Sequence, residues 1–520
     1  MKHTLISVLL IANLVTRAQS NPFFVNLPVG PHAVGFNVVT LTDDSRVTKR
    51  RYDYFGAKET GNRHRQVQLH LWYPAQRNSS NVAMTYGDYC AAESFSELNG
   101  SKDPALKTRL LNDQRATFDR FFGKLTDAHW TKLANSPLLA RKAATSLPQR
   151  FPLLIGTLRP LSTSVTNELL ASNGYVVAMV TTGELSEATP MIRYIQEVQD
   201  MQLAISYLQK RGLIDEEKVG TLGFSGSGLT QVLFAMHDKR VGALADIESA
   251  IYGEGIMDYL GKSNFYDAKQ LHVPFLHIYG KRLGSSDAHF DEFHKKIYSD
   301  RYHLLLNYSR LHHWDVATEG RASTTVLHVR GDKEPSLRAS FELANRHLLA
   351  FFNSVLKQDK SSQTILDSKA TLSQYPDSLW TIRHYPGLKP PPNAQQFIKI
   401  INDQGIDSAL AVARRFLTVD PAAAFLHQNN LNAQAQLLQS QKKPNETIAL
   451  MNFATEVYPK EAWLWNNLAG MHEDFGDKLA AIRCSEKVLD VLVDFRGAEM
   501  SFNERVRRSA QARLQRLKAQ

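Results

Sequence analysis

Apolar and polar positions change rhythm three times along this chain. Residues 30–46 and 65–75 alternate apolar with polar, the period of half-buried strands, and predict antiparallel opening strands. Residues 84–148 lose that alternation and carry helical patches such as 105–125, which predicts a helical insertion, a lid over a site. From Phe151 the chain alternates short apolar runs with helical spacing. Phe151–Gly156, Tyr175–Val180, Val219–Leu222, Val241–Ala245, Val273–Tyr279 and His303–Tyr308 read as strands. Between and after them, helices are predicted over Ser164–Asn173, around Ile195, Val198, Met201, Ile205 and Leu208, over Leu229–Met236 and over Glu342–Leu356. Strands and helices in strict alternation predict an α/β fold with a mostly parallel sheet covered on both faces.

Beyond Leu356 the pattern changes again. Residues 357–393 are polar and end in Lys389-Pro-Pro-Pro392, which predicts a linker. From Ala394 to Gln520 the chain reads as all-α. Leu431, Ala435 and Ala454 are followed about 34 residues later by Trp465, Ala469 and Val488, the period of a tetratricopeptide helix pair, with Pro459 closing the first unit. Two such repeats are fewer than the roughly three that stabilise a free solenoid, so a protein partner, or the α/β domain itself, is expected to cover them. Residues 1–20 read as a signal peptide: Lys2 and His3, an apolar core from Leu5 to Val15, then Ala18-Gln19-Ser20. That core is too short to span a bilayer, and no later run approaches the length needed. The expected plan is an export signal (1–20), an α/β domain (21–356, insertion at 84–148), a linker (357–393) and a helical domain (394–520).

Composition adds limits rather than a function. With 43% hydrophobic and 22% charged residues the chain is of globular type. Its formal charge of +10 is scattered, with no interleaved basic and aromatic motif, so no nucleic-acid partner is expected. The basic stretch from Arg505 to Lys518 reads as a solvated helix face. Export permits disulfides, yet Cys90 and Cys484 fall in different predicted domains, and no bridge is expected. No His/Cys cluster has metal-ligand spacing, so neither metal nor other cofactor is expected.

The chemistry concentrates in Gly223-Phe-Ser-Gly-Ser-Gly228, between a predicted strand and a predicted helix. A serine on so sharp a turn needs small neighbours and gains backbone N–H groups at the helix start, the arrangement of a nucleophile elbow. Ser227 takes the last place of the Gly-x-Ser-x-Gly pattern, with Gly228 following at once. A phosphate-binding loop is disfavoured, because no lysine follows the glycines. Ser225 is the candidate nucleophile. Its hydroxyl requires a base, and the base requires a carboxylate to orient it. Past the last predicted parallel strand stand His312 and His313. His313 is preferred, followed by Trp314 and Asp315, with His312 as the alternative. Three carboxylates compete for the acid: Glu248, just beyond the fourth strand, Asp246 beside it, and Asp287 in the next loop. The oxyanion donors expected are the N–H of Gly226 and that of Leu158 or Arg159, since Pro160 has none.

Gly30-Pro-His-Ala-Val-Gly35, Asp44-Ser-Arg46, Leu71-Trp-Tyr-Pro-Ala75 and the elbow resemble the platelet-activating-factor acetylhydrolase and dienelactone-hydrolase-like branch of the α/β-hydrolases. The resemblance spans about residues 28–356 apart from the insertion, and implies a cofactor-free serine esterase working through an acyl-enzyme. It also implies an acid following the strand after the elbow helix, favouring the Asp246/Glu248 segment over Asp287. The chain departs in offering two carboxylates there and in lacking a His-Gly-Leu-like oxyanion loop. The expected function is therefore hydrolysis of a small-molecule carboxylic ester by a periplasmic or secreted enzyme. A peptidase or amidase, or a non-catalytic scaffold binding a protein through its repeats, are the rivals.

Overall fold

Eleven strands form one mixed sheet in a computed structural model that describes residues 21–49, 62–77, 81–92, 104–157, 159–182, 190–249, 260–280, 291–308, 311–493 and 500–519. The export segment at 1–20, Leu158 and Asp287 lie outside the described residues. In chain order the strands are β1 (Ala33–Lys49), β2 (Asn62–Ala75), β3 (Ala83–Thr85), β4 (Pro137–Lys142), β5 (Phe151–Gly156), β6 (Val176–Thr182), β7 (Ile214–Phe224), β8 (Val241–Ile247), β9 (Phe275–Gly280), β10 (Arg301–Leu306) and β11 (Trp380–Tyr385). Their spatial order is β11-β10-β9-β8-β7-β5-β6-β2-β1-β4-β3. From β6 to β10 all neighbours are parallel, while β2 runs antiparallel to both β1 and β6. An antiparallel opening hairpin, a parallel block covered by helices and a tight strand-to-helix turn after β7 make this the α/β-hydrolase fold.

Period-two burial builds two cores at once. Leu153 and Ile155 of β5 pack on one face with Val198, Met201 and Ile205 of a long helix and with Leu229 and Leu233 of the helix after β7. Leu154, between them in sequence, packs on the other face with Val165, Leu169, Leu348 and Phe352. Every residue of β5 is buried, as a central parallel strand covered on both sides requires.

The insertion is not purely helical. It holds α1 (Tyr86–Ala92), α2 (Pro104–Phe122) and α3 (Asp127–Ala134), but β3 and β4 flank them and extend the sheet beyond β1. β3 has three residues and β4 pairs with β1 at only two positions, too short a run for alternation to stand out. The predicted linker is likewise corrected. After α4 (Ser164–Ser172), α5 (Pro190–Lys210), α6 (Gly228–His237), α7 (Thr318–Thr325) and α8 (Glu334–Lys357), the chain forms α9 (Lys360–Asp367), and β11 then pairs antiparallel with β10 over six positions. The fully buried Trp380 begins that pairing, which makes β11 the outermost strand on this side of the sheet. Compactness divides the chain after Leu388.

The second unit, residues 389–520, contains α10 (Ala394–Gln404), α11 (Ile406–Val419), α12 (Gln428–Ser440), α13 (Pro444–Val457), α14 (Ala462–Asp474), α15 (Lys478–Val491) and α16 (Met500–Lys518). Three helix pairs stand where two were expected, because α10 and α11 precede the stretch in which the repeat is legible. Small residues lie at the contacts: Ala435, Ala454, Ala469 and Ala481 are fully buried. Cys90 and Cys484 are buried free thiols, and among the described residues no helix is long and apolar enough to cross a membrane.

One buried acid ties the insertion to the fold. Glu168 of α4 accepts a hydrogen bond from Tyr89 Oη of α1, which itself accepts one from Trp72 Nε1, and Leu139 of β4 donates its N–H at 2.5 Å to the other carboxylate oxygen. Burial pushes this carboxyl up to about 7 from its ordinary 4.5, against the opposing pull of those donors. A carboxyl raised on folding contributes stability that is complete below pH 4.5 and is lost as pH rises through 7. Wild-type protein is therefore expected to lose up to about 3 kcal/mol between pH 5 and pH 8 through this group. Glu168→Gln removes the titration, and denaturant midpoints measured across that interval should flatten.

Candidate active site

β7 lies between β5 and β8, and its last six residues are buried. The strand ends at Phe224 in extended conformation, and Ser225 then turns to φ 49°. A non-glycine residue held there stores about 1–3 kcal/mol of strain, which the packing around the turn maintains. That packing is specific. A Cβ on Gly223 would stand 2.7 Å from Gly228 Cα, and one on Gly228 would stand 2.1 Å from Ser249 Oγ. The indispensable second glycine is thus Gly228. Ser227 fits because its hydroxyl closes the turn, accepting from Phe224 N–H at 3.0 Å and donating to Phe224 C=O at 2.9 Å. Above Gly226, by contrast, a Cβ would meet nothing within 4 Å among the described residues. The residue after the serine faces open space at the start of α6, where the helix dipole favours negative charge.

A buried relay behind the elbow fixes the neighbouring loop. Thr221 Oγ1 lies 2.9 Å from the Ile155 carbonyl and 2.5 Å from Gln231 Oε1, and Gln231 Nε2 donates to Thr157 Oγ1 at 3.0 Å. Thr157 is the first residue beyond β5, so the loop expected to supply an oxyanion donor is anchored to α6. Leu158 itself is outside the described residues. Farther along, Ser162 Oγ donates to the buried Glu319 at 2.9 Å, and the N–H of Thr318 donates to the Ser162 carbonyl at 2.8 Å. Burial holds the Glu319 carboxyl above its ordinary range. Sequence reasoning missed these partners. No local pattern couples positions more than 150 apart.

The two carboxylates after the elbow helix separate cleanly. Asp246 is fully buried within β8 and hydrogen-bonds His277 Nδ1 on β9, the residue opposite it in register. Glu248 lies just past the strand at φ 54°, its N–H donating to the Ile278 carbonyl at 2.8 Å. Its carboxylate accepts the N–H of Gly280, at the end of β9, at 2.5 Å. A Cβ on Gly280 would lie 2.7 Å from Glu248 Oε1 and 2.5 Å from Leu311 Cδ2. The end of β8, the end of β9 and the segment leading to His313 therefore converge on one point.

His313 opens a short turn, His313–Val316, beyond β10. Its ring centroid is 6.3 Å from that of Phe224, the residue before Ser225. His312 is turned differently: its Nδ1 accepts from Trp314 N–H at 3.3 Å, and its ring lies 5.5 Å from Phe121 of α2. Asp315 pins the turn, accepting from His312 N–H at 2.8 Å and pairing with Arg330 Nη1 at 2.8 Å. Ser225, Gly226, Glu248 and His313 thus stand along one edge of the sheet, at the carboxyl ends of β7, β8 and β10.

No family model matches this chain, and no curated protein does. Among solved structures it is similar to a ferulic acid esterase from Streptomyces cinnamoneus, at 17% identity and a TM-score of 0.45, over 68% of this chain and 96% of that one. So distant a likeness carries no activity across.

Proposed function

We propose that the chain is a serine hydrolase of carboxylic esters working through an acyl-enzyme. The observation that carries this reading is the left-handed Ser225 at the β7–α6 turn, beside open space over Gly226. In the proposed reaction Ser225 Oγ attacks the ester carbonyl carbon while His313 takes the hydroxyl proton. The N–H of Gly226 stabilises the oxyanion that forms. When the tetrahedral intermediate collapses, the C–O bond to the alcohol breaks and His313 returns the proton to the leaving oxygen. Water, deprotonated by the same imidazole, then attacks the acyl-serine; the C–Oγ bond breaks as His313 returns the proton to Ser225 Oγ, and the acid leaves. Glu248 orients His313; the convergence of its carboxylate with Leu311 beside Gly280 favours it over Asp246, which is engaged by His277. The motifs at Gly30–Gly35 and Leu71–Ala75 support kinship with the acetylhydrolase and dienelactone-hydrolase-like branch.

The test is a fluorophosphonate probe, which reacts with activated serines. Labelling of the wild-type protein at Ser225, located by peptide mass analysis, is the expected result. Labelling elsewhere, or none while the protein is folded, overturns the reading.

A further inference from the structure

The rings around His313 extend beyond what the proton transfers need. Phe224 lies 6.3 Å from both His313 and Trp314, His313 and Trp314 are 4.8 Å apart, and His312 and His313 are 4.2 Å apart. Phe121, carried in by the insertion on α2, completes the series at 5.5 Å from His312 and 5.4 Å from Trp314. Interplanar angles of 31–57° make these tilted contacts, and within the cluster Phe121 and His312 are exposed and Trp314 half-buried. Phe121 keeps 39% of its surface exposed although its neighbour Phe122 is buried. Arg330 stands 5.2 Å from the Phe122 ring centroid and holds Asp315 in an ion pair, so helix and turn are pinned together while Phe121 remains open. An aromatic side chain serving only to dock the insertion would be covered, as Phe122 is.

The chemistry of the reaction decides which part of a substrate meets these rings. In the serine hydrolase reading, on which this inference rests, His313 protonates the leaving oxygen, so groups packed about His313 flank the alcohol portion rather than the acyl portion. Asp315 is neutralised by Arg330, so the carboxylate of this turn is not free to select a cationic alcohol. Tilted rings favour a flat π-system over a puckered ring of equal size, through offset and edge-to-face contacts that a saturated ring lacks. We propose that Phe121, His312 and Trp314 form the alcohol subsite and that it accepts a planar aromatic group, making the substrate class aryl-methyl or comparable aromatic-alcohol esters.

Three acetates test this: benzyl, cyclohexylmethyl and ethyl, all with primary alcohol leaving groups, with release of acetic acid followed by pH-stat titration. The wild-type kcat/KM ratio of benzyl to cyclohexylmethyl acetate is expected to be about 10, and Phe121→Ala should bring it to within about twofold of unity. Phe121→Tyr, which keeps the ring, should retain the preference. A wild-type ratio near unity, or one that survives in Phe121→Ala, overturns the aromatic subsite while ethyl acetate turnover still upholds the esterase. If no acetate is hydrolysed and the fluorophosphonate leaves Ser225 unlabelled, the esterase reading fails and the subsite with it. If turnover persists but Phe121→Ala lowers kcat/KM for all three equally, Phe121 only holds the insertion in place and the inference is overturned.

Discussion

Ser225→Ala is expected to lower the turnover of a short-chain p-nitrophenyl ester by a factor on the order of 10⁴ or more, with the fold preserved. The reason is chemical, since alanine cannot form the acyl bond and binding with oxyanion stabilisation alone supplies only the residual rate. Nothing in the elbow depends on the serine hydroxyl for its shape. The turn is closed by Ser227 on both backbone groups of Phe224 and by the contact between Gly223 and Gly228. Circular dichroism and the denaturation midpoint should therefore match the wild type. A variant that keeps more than about a hundredth of the activity shows that another nucleophile carries the reaction.

His313→Ala should be nearly as damaging, and His312→Ala should not. The two imidazoles are adjacent in sequence but differ in surroundings: the His313 ring packs toward Phe224 and the elbow, while His312 offers its Nδ1 to the Trp314 N–H and its ring to Phe121. Loss of a general base costs about the same as loss of the nucleophile, because the two act as one unit. For His312→Ala a loss within about tenfold is expected, from loosening of the turn. Steady-state kinetics on both variants, with folding checked, separates them. Equal large losses would mean that the pair works jointly, and a larger loss in His312→Ala would reverse the assignment.

Much of the sheet could be read along the chain because burial on two faces produces dense apolar runs. Phe151–Gly156 was expected as a strand and is β5, and the helix expected from Ser164 begins there. Where pairing is brief, the pattern thins. β3, β4 and β11 contribute three to six residues each, so the insertion and the stretch after Leu356 read as helix and linker although both add to the sheet. Around the elbow, the small-residue requirement was visible, but which glycine satisfied it was not. Ser227 is tolerated because its side chain turns back on Phe224, a fact of geometry with no mark in composition. The two acids tell the same story. Asp246 and Glu248 are two residues apart with equal claims in sequence, and they part company only because His277, on the next strand, faces one of them.

What the sequence determined by itself was the alternation of elements, and with it a covered parallel sheet carrying a serine on a strand-to-helix turn, because periodicity and glycine spacing are local consequences of burial and backbone sterics. Tertiary structure alone decided the partners: which carboxylate is taken by a histidine, which imidazole ring lies beside Phe224, and how Phe121 arrives beside Trp314. Those contacts join residues tens to hundreds of positions apart, and side-chain packing across strands chooses among chemically equivalent candidates that spacing cannot distinguish.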